Sequence, residues 1–382
     1  MEVKKLKECC TIIAGQSPES KYYNSNGDGL PFFQGKADFG ELYPSIRVYC
    51  SQPTKIAEKD DILLSVRAPV GPTNLAPCKV CIGRGLTAIR PSEVLLTRYV
   101  LLFFRYFEAQ LASKGTGTTF KAITQDVVKN LEIPIPPLPE QERIVARIEE
   151  LFSQLDAGVE TLKKTKAQLA VYRQAVLKEA FSYCAEKKPI REMSSIVTSG
   201  SRGWAKYYCD NGAKFIRIGN LTRNKIYIDL DDIQHVQLPD KAEGTRTKLA
   251  PNDVLVSITA DLGSIGLVPN GIGEAYVNQH IAMIRFNNQM QGEFYAWYLR
   301  SEYGQQDLLR NKRGGGKLGL GLDDIRDSRV PVVSNETAES ILSIIECRLS
   351  VCDSIEHTVD LALQQAEAMR QSILKDAFEG KL

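Results

Sequence analysis

The sequence predicts an α+β protein made twice over: two mixed α/β domains separated by two long helices that pack as an antiparallel coiled coil. Three observations carry this. The chain repeats itself at a nearly constant offset; each half switches once from short β-rich runs to one uninterrupted helical stretch; and that stretch has heptad periodicity. A chain of 382 residues also exceeds what a single core usually supports.

The repeat is plainest at the helix ends. Residues 172–181 read YRQAVLKEAF and residues 369–378 read MRQSILKDAF. Arg173/Arg370, Gln174/Gln371, Leu177/Leu374, Lys178/Lys375, Ala180/Ala377 and Phe181/Phe378 are identical at an offset of 197. Pro134/Pro331, Glu142/Glu339, Ile144/Ile341 and Asp156/Asp353 share it. Smaller offsets align IGRGLTAIRP (82–91) with VNQHIAMIRF (277–286), DILLSV (61–66) with DVLVSI (253–258), and PFFQGK (31–36) with the stretch from Lys214 to Gly219. The drift reflects loop-length differences, and units this long are domains, not solenoid repeats.

Residues 1–138 form the first domain, 139–185 the first long helix, 186–334 the second domain and 335–382 the second helix. Both domains carry short β-rich runs broken by Gly, Pro, Asn and Ser, with amphipathic helices over 98–111 and 293–309. In the first long helix the apolar stripe runs through Ile144, Ile148, Leu151, Leu155, Leu162, Leu169, Tyr172 and Val176; in the second, through Ile341, Ile345, Cys352, Ile355, Val359, Ala366, Met369 and Ile373. A helix of about 40 residues, roughly 60 Å long, cannot leave such a stripe in water, and pairing the two helices covers both. The alternative is that each helix docks separately on its own domain or on a partner.

The totals exclude several function classes. No run is apolar enough to span a membrane or to act as a signal peptide. Nine scattered cysteines point to free thiols in a reducing cytoplasm. Cys78-x-x-Cys81 lacks the second ligand pair that zinc needs, and His235, His280 and His357 are far apart, so no metal is expected. Gly314-Gly315-Gly316-Lys317 is not a phosphate loop, because Asn311 and Leu318 stand where Gly and Ser or Thr are required. No methyltransferase motif is present: the only Pro-Pro, Pro136-Pro137, is flanked by Ile135 and Leu138. Asp60-Asp61 and Asp231-Asp232 have no consistent partner set for metal or acid–base work, and Asp61, matched by Asp253, reads as a turn residue. No cofactor and no catalytic residue are expected.

DNA contact has better candidates, although a net charge of +2 means that it must come from local patches or be shared with partners. Phosphates want Lys, Arg and flexible glycine; base edges want Arg, Lys, Asn, Gln or His. Two loops at comparable places fit: 114–121, with Lys114, Thr116 and Lys121, and 310–317, with Arg310, Lys312, Arg313 and Lys317. Both also read as solvated connectors. Further candidates are Gln34, Lys36, Arg67 and Arg84 in the first domain, and Arg217, Asn220, Arg223, Lys225, Thr259, Gln279 and His280 in the second. The domains diverge at such positions: Gly83-Arg84-Gly85 faces Asn278-Gln279-His280.

The turn Ile133-Pro134-Ile135-Pro136-Pro137-Leu138-Pro139-Glu140-Gln141, the long helix closing on RQ-x-[VI]-LK-[DE]-AF, and the recurrence of domain and helix resemble the specificity subunits of type I restriction–modification systems over essentially the whole chain. The second turn departs from the pattern, since Val330-Pro331-Val332-Val333-Ser334-Asn335-Glu336 lacks the proline run and the Glu-Gln pair. The resemblance implies two target-recognition domains that each read half of a bipartite double-stranded DNA site. It also implies spacer helices that dock two methyltransferase (modification) subunits, and restriction subunits in the full complex. The alternatives are the specificity subunit of a fused restriction–methylation enzyme and, in a different class, a non-DNA scaffold with two ligand-binding domains.

Overall fold

The protein is described by a computed structural model over residues 2–115, 122–223, 225–239, 245–310 and 319–382. It divides into two compact units, one of residues 1–162 with 360–382, the other of residues 163–359. The division does not follow the sequence boundaries at 138, 185 and 334. Each unit instead takes one domain, part of the first long helix, Leu138–Phe181, and part of the second, Asn335–Phe378.

The first unit is built on an antiparallel sheet in the order Cys10–Ala14, Leu86–Pro91, Ile62–Ser65, Thr73–Leu75. The run Ile62-Leu63-Leu64 is apolar throughout because both faces of its strand are covered. Ile62 and Leu64 join the core formed with the helix Thr97–Ser113, while Leu63 packs on Phe33, Val80 and Ile82 of a second sheet. That sheet runs Tyr23–Asn24, Tyr49–Cys50, Leu30–Phe33, Val80–Ile82, Ile56–Ala57, with Leu30–Phe33 and Val80–Ile82 parallel.

The second unit repeats the plan. Its first sheet runs Ser194–Ser199, Ile281–Phe286, Val254–Ser257, Ile265–Leu267; its second runs Tyr208–Cys209, Gln234–Val236, Ala213–Ile216, Ala275–Val277, the last pair again parallel. A lone bridge, Lys248 to Tyr276, stands where the first unit has a fifth strand. The expected helix over 293–309 is broken into Gly292–Arg300 and Glu302–Leu309. Ser301 between them is extended (φ −67°, ψ 162°), donates its hydroxyl to the Tyr298 carbonyl and accepts from Gly304 N–H, so it ends one helix and caps the next.

Asp61 and Asp253 hold equivalent turns. Each follows a left-handed residue, Asp60 (φ 65°) or Asn252 (φ 66°), and accepts the backbone N–H three residues back, from Glu58 or Ala250, at 2.8 Å. Arg90 and Arg285 grip them through two bonds each, at 2.8 and 2.7 Å and at 2.8 and 2.6 Å. Those bonds hold both guanidinium groups above their ordinary pKa.

Within each unit the two long helices run antiparallel, residue numbers rising along one as they fall along the other. In the first unit Arg143 bonds the Leu382 carbonyl and Arg370 pairs with Asp156. In the second Arg173 pairs with Asp353 (2.7 Å) and Glu356 (2.8 Å), and Arg348 with Glu179. Arg173–Asp353 and Arg370–Asp156 are one bridge made twice, with the helices exchanged.

The buried stripe keeps the expected heptad but differs in membership. Ile144, Ile148, Leu169, Ile345 and Val359 are buried, and Leu151, Leu155, Leu162, Ile341 and Ile373 half-buried. Ile355 and Met369 are instead exposed, at 39% and 54%, as is Tyr172. The inward positions beside them are the charged Glu356, Arg370 and Arg173, which are paired across the seam, so apolarity alone points to the neighbour one residue away. Leu349 and Leu374 are buried seam members absent from the sequence reading. Ile345→Ala is therefore expected to cost about 2–5 kcal/mol, whereas Ile355→Ala and Met369→Ala stay within about 0.5 kcal/mol. Urea unfolding of the three variants checks this, and equal losses would contradict the seam.

The two junctions into the long helices use different side chains for one task. At the first, fully buried Gln141 accepts from Leu96 N–H and donates to the Val94 and Pro136 carbonyls, each at 2.8 Å. At the second, buried Gln291 donates to Asn335 Oδ1 and the Val333 carbonyl and accepts from the Tyr295 hydroxyl. The missing Glu-Gln pair is thus replaced from another part of the chain. Among the described residues no helix is long and apolar enough to cross a membrane, and no group of side chains is arranged to hold a metal ion.

Candidate nucleic-acid interface

In both units one hairpin loop follows the central strand of the first sheet. Ser65 donates its hydroxyl to the Arg67 and Pro69 carbonyls, and Gly71 (φ 112°) returns its N–H to Ser65. Ser257 bonds the Asp261 carbonyl, and Gly263 (φ 77°) returns its N–H to Ser257. The loops place Arg67 and Thr259 at equivalent points. Beside each lies a second segment: Ala122 bridges to Arg67 and Ile123 N–H bonds the Val66 carbonyl, while Gly319 bridges to Thr259 and Leu320 N–H bonds the Ile258 carbonyl. Thr116, Lys121, Lys312, Arg313 and Lys317 lie outside the described residues. Their anchors do not: Lys114 sits 5.6 Å over the Phe107 ring at the end of its helix, and Arg310 is exposed at the end of Glu302–Leu309.

The first unit gathers its remaining candidates. Gln34, Lys36, Arg67 and Arg84 line one cleft of about 560 Å³ and all are exposed. Three loops meet there because glycine lets them: a Cβ on Gly85 would stand 2.3 Å from the Gln34 carbonyl oxygen. Among the described residues no carboxylate lines this cleft. An amide, two arginines and a lysine with no hydrogen-bond or ion-pair partner among the described residues suit phosphate oxygens and the guanine edge.

The second unit divides its candidates into three groups. Thr259, Gln279 and His280 form a hydrogen-bonded set: His280 Nδ1 lies 2.8 Å from the Thr259 hydroxyl and Nε2 lies 2.8 Å from Gln279 Nε2. With that amide donating, the ring proton belongs on Nδ1. Arg217 and Asn220 line a separate cleft of about 490 Å³ together with Asp229, Asp231 and Asp232. Asn220 is buried and its amide is consumed locally, donating to the Asp229 and Asp232 carbonyls and accepting from Arg217 N–H, which removes it as a reader of bases. Arg223 and Lys225 stand on a third loop, Arg223 bound to Asp261 at 2.6 Å.

The clefts therefore differ in charge: cationic in the first unit, rich in carboxylates in the second. Asp229, Asp231 and Asp232 escape a sequence reading because nothing in the DLDD run (229–232) shows that it faces Arg217; the bonds between Asn220 and the backbone of Asp229 and Asp232 decide that. Cys78 and Cys81 carry no chemistry of this kind, since Cys81 is buried in a small apolar cluster with Phe32 and Cys50, and burial raises its thiol pKa.

The profile of the type I restriction modification DNA specificity domain matches residues 1–170 and again 186–365. The putative type I restriction enzyme MjaX specificity subunit of Methanocaldococcus jannaschii is 40% identical over 167 residues, covering 44% of this chain and 38% of that protein. The type I restriction enzyme EcoBI specificity subunit of Escherichia coli is 24% identical over 327 residues, covering 76% of this chain and 67% of that protein. The chain thus spans well under half of the first relative and about two thirds of the second. Among solved structures, the HsdS subunit from Thermoanaerobacter tengcongensis is 49% identical, with 41% of this chain and 38% of that one covered at a TM-score of 0.38. With both of its halves matched by one profile, the chain belongs to the family of type I restriction modification DNA specificity domains.

Proposed function

We propose that this chain is the DNA-reading subunit of a type I restriction–modification complex and performs no chemistry of its own. Each unit reads one half of a bipartite double-stranded site. The observation that carries this is the equivalent loop pair in both units, Arg67 beside Ala122 and Thr259 beside Gly319, presenting different side chains on one scaffold. One framework with two sets of tips suits two half-sites. The cationic cleft of Arg67 and Arg84 favours guanine, and Gln279, held against His280, offers an amide to the other half. Much of the affinity comes from phosphate contacts shared with partners. Those partners are two methyltransferase subunits, docked along the long helices, and restriction subunits in the full complex. The setting is the cytoplasm, consistent with nine free cysteines.

Exchanging residues 1–138 for the equivalent domain of a relative tests the reading. Reconstituted with its methyltransferase, the hybrid is expected to change one half of the methylated site and keep the other, as read by methylation mapping. Changes in both halves would defeat the assignment of one domain to each half, and methyl transfer by the isolated chain would defeat the non-catalytic role.

A further inference from the structure

Arg300 ends the helix Gly292–Arg300 in the second unit, and its surroundings are unusual for an arginine. It is half-buried, stacks 5.6 Å from the centre of the Trp297 ring, and donates one bond, to the Lys225 carbonyl at 2.7 Å. Among the described residues no carboxylate pairs with it. Its charged neighbours are Arg173 and Arg223, and burial together with these two cations lowers its pKa to about 10. A cleft of about 240 Å³ opens here, lined by Lys166, Arg173, Arg223 and Arg300, with Glu356 the one carboxylate among its described lining residues. Glu356 already holds Arg173 and lies 3.7 Å from Lys166; Asp261 holds Arg223; and Glu302, at a neighbouring opening, holds Lys178 at 2.9 Å.

The first unit shows what is missing. Arg105 occupies the equivalent place, is also half-buried and also has its pKa lowered, by burial first and then by Arg98. Glu41 and Glu108 act on it as well, with the opposite sign. Glu108 lies one turn further along a continuous helix. In the second unit that position is Tyr303, and the break at Ser301 ends the helix before it. One copy carries its own counter-charge; the other presents a desolvated guanidinium, two further arginines and a planar amide, Gln174, around an open cleft.

We propose that the cleft between Arg173, Arg223 and Arg300 is a binding site for a single phosphate group, supplied by a DNA backbone or by free phosphate. Arg300 keeps guanidinium donors beyond its one bond to the Lys225 carbonyl, and Arg173, held by Asp353 and Glu356, and Arg223, held by Asp261, add positive charge beside it, which suits a tetrahedral oxyanion. Arg223, more than half exposed, stands at the mouth beside exposed Lys225, so a phosphate carried on a longer chain can enter.

The test is titration of the purified full chain with inorganic phosphate against chloride at matched ionic strength, by calorimetry and thermal unfolding. Wild type is expected to bind one phosphate and to gain in Tm. Arg300→Gln and Arg223→Gln each should weaken binding by about tenfold or more. Arg223→Gln alters an exposed side chain, so it reports even if Arg300→Gln folds poorly. No phosphate-specific response in wild type, or an unchanged response in Arg223→Gln, overturns the site. A second arm measures duplex DNA binding. If the backbone is the source, Arg223→Gln weakens DNA binding and reduces the salt slope by about one; if free phosphate is, DNA binding stays unchanged while the phosphate response is lost. Only this DNA arm rests on the proposed function, so failure of that reading leaves the phosphate result standing.

Discussion

Asp253→Ala is expected to destabilise the second unit by about 3–5 kcal/mol, because it leaves a guanidinium without its partner in a largely enclosed position. Asp253 is 1% exposed and the Arg285 side chain 21%. The carboxylate closes two bonds to Arg285 and one to Ala250 N–H, and all three are lost together. Asp61→Ala should act in the same direction but less strongly, since the Arg90 side chain is 42% exposed and can regain water. Chemical denaturation of both variants measures the difference. A loss below about 1 kcal/mol for Asp253→Ala would mean that the turn holds without its bridge.

Phe181→Ala is expected to cost about 3–5 kcal/mol, the usual penalty for emptying an aromatic site in a core. Phe181 is 2% exposed and meets Phe294 and Tyr298 edge-on, each at 5.4 Å between ring centres. It fastens the end of the first long helix to the domain that follows. Phe378 plays the same part in the first unit, stacked on Tyr106 at 5.6 Å and tilted against Tyr99 at 5.2 Å, but it is only half-buried. Phe378→Ala should therefore cost less. If the order were reversed in urea unfolding, the rings would not be the anchors of their helix ends. The recurring AF at the close of each helical motif thus has a packing reason.

Much of the fold could be read from repetition, because equivalent residues do equivalent work: Asp61 and Asp253 at their turns, Ser65 and Ser257 under their loops, Arg173 and Arg370 across their seams. What could not be read was anything set by a charge turned inward. A stripe built from apolar residues alone selects Ile355 and Met369, since it has no reason to prefer Glu356 and Arg370, whose burial makes sense only once the facing Arg173 and Asp156 are in place. The break at Ser301 was hidden for a similar reason, being fixed by a hydroxyl that serves two helices at once. For the candidate interface, Gln34, Lys36, Arg67 and Arg84 were identifiable by residue type and come together in one cleft. The opposite character of the second cleft depended on carboxylates that the Asn220 side chain brings beside Arg217 through bonds to their backbone. Arg300 carried a signal that went unused: Arg105 stands 195 residues before it, the offset that relates the flanking strands.

The composition of the first unit bears on how the chain is made. Leu374 and Ala377 belong to its buried core, with Phe378 packed against them, yet they are joined to the polypeptide only after everything from Lys163 to Val359. Domains usually mature in the order in which they leave the ribosome. Here the amino-terminal domain must wait with one wall of its interior open, while the second unit, a single stretch of chain, already holds all of its own parts. The first unit is consequently the later of the two to close, and its apolar face near Tyr99 and Phe103 stays uncovered until the segment carrying Phe378 has been made.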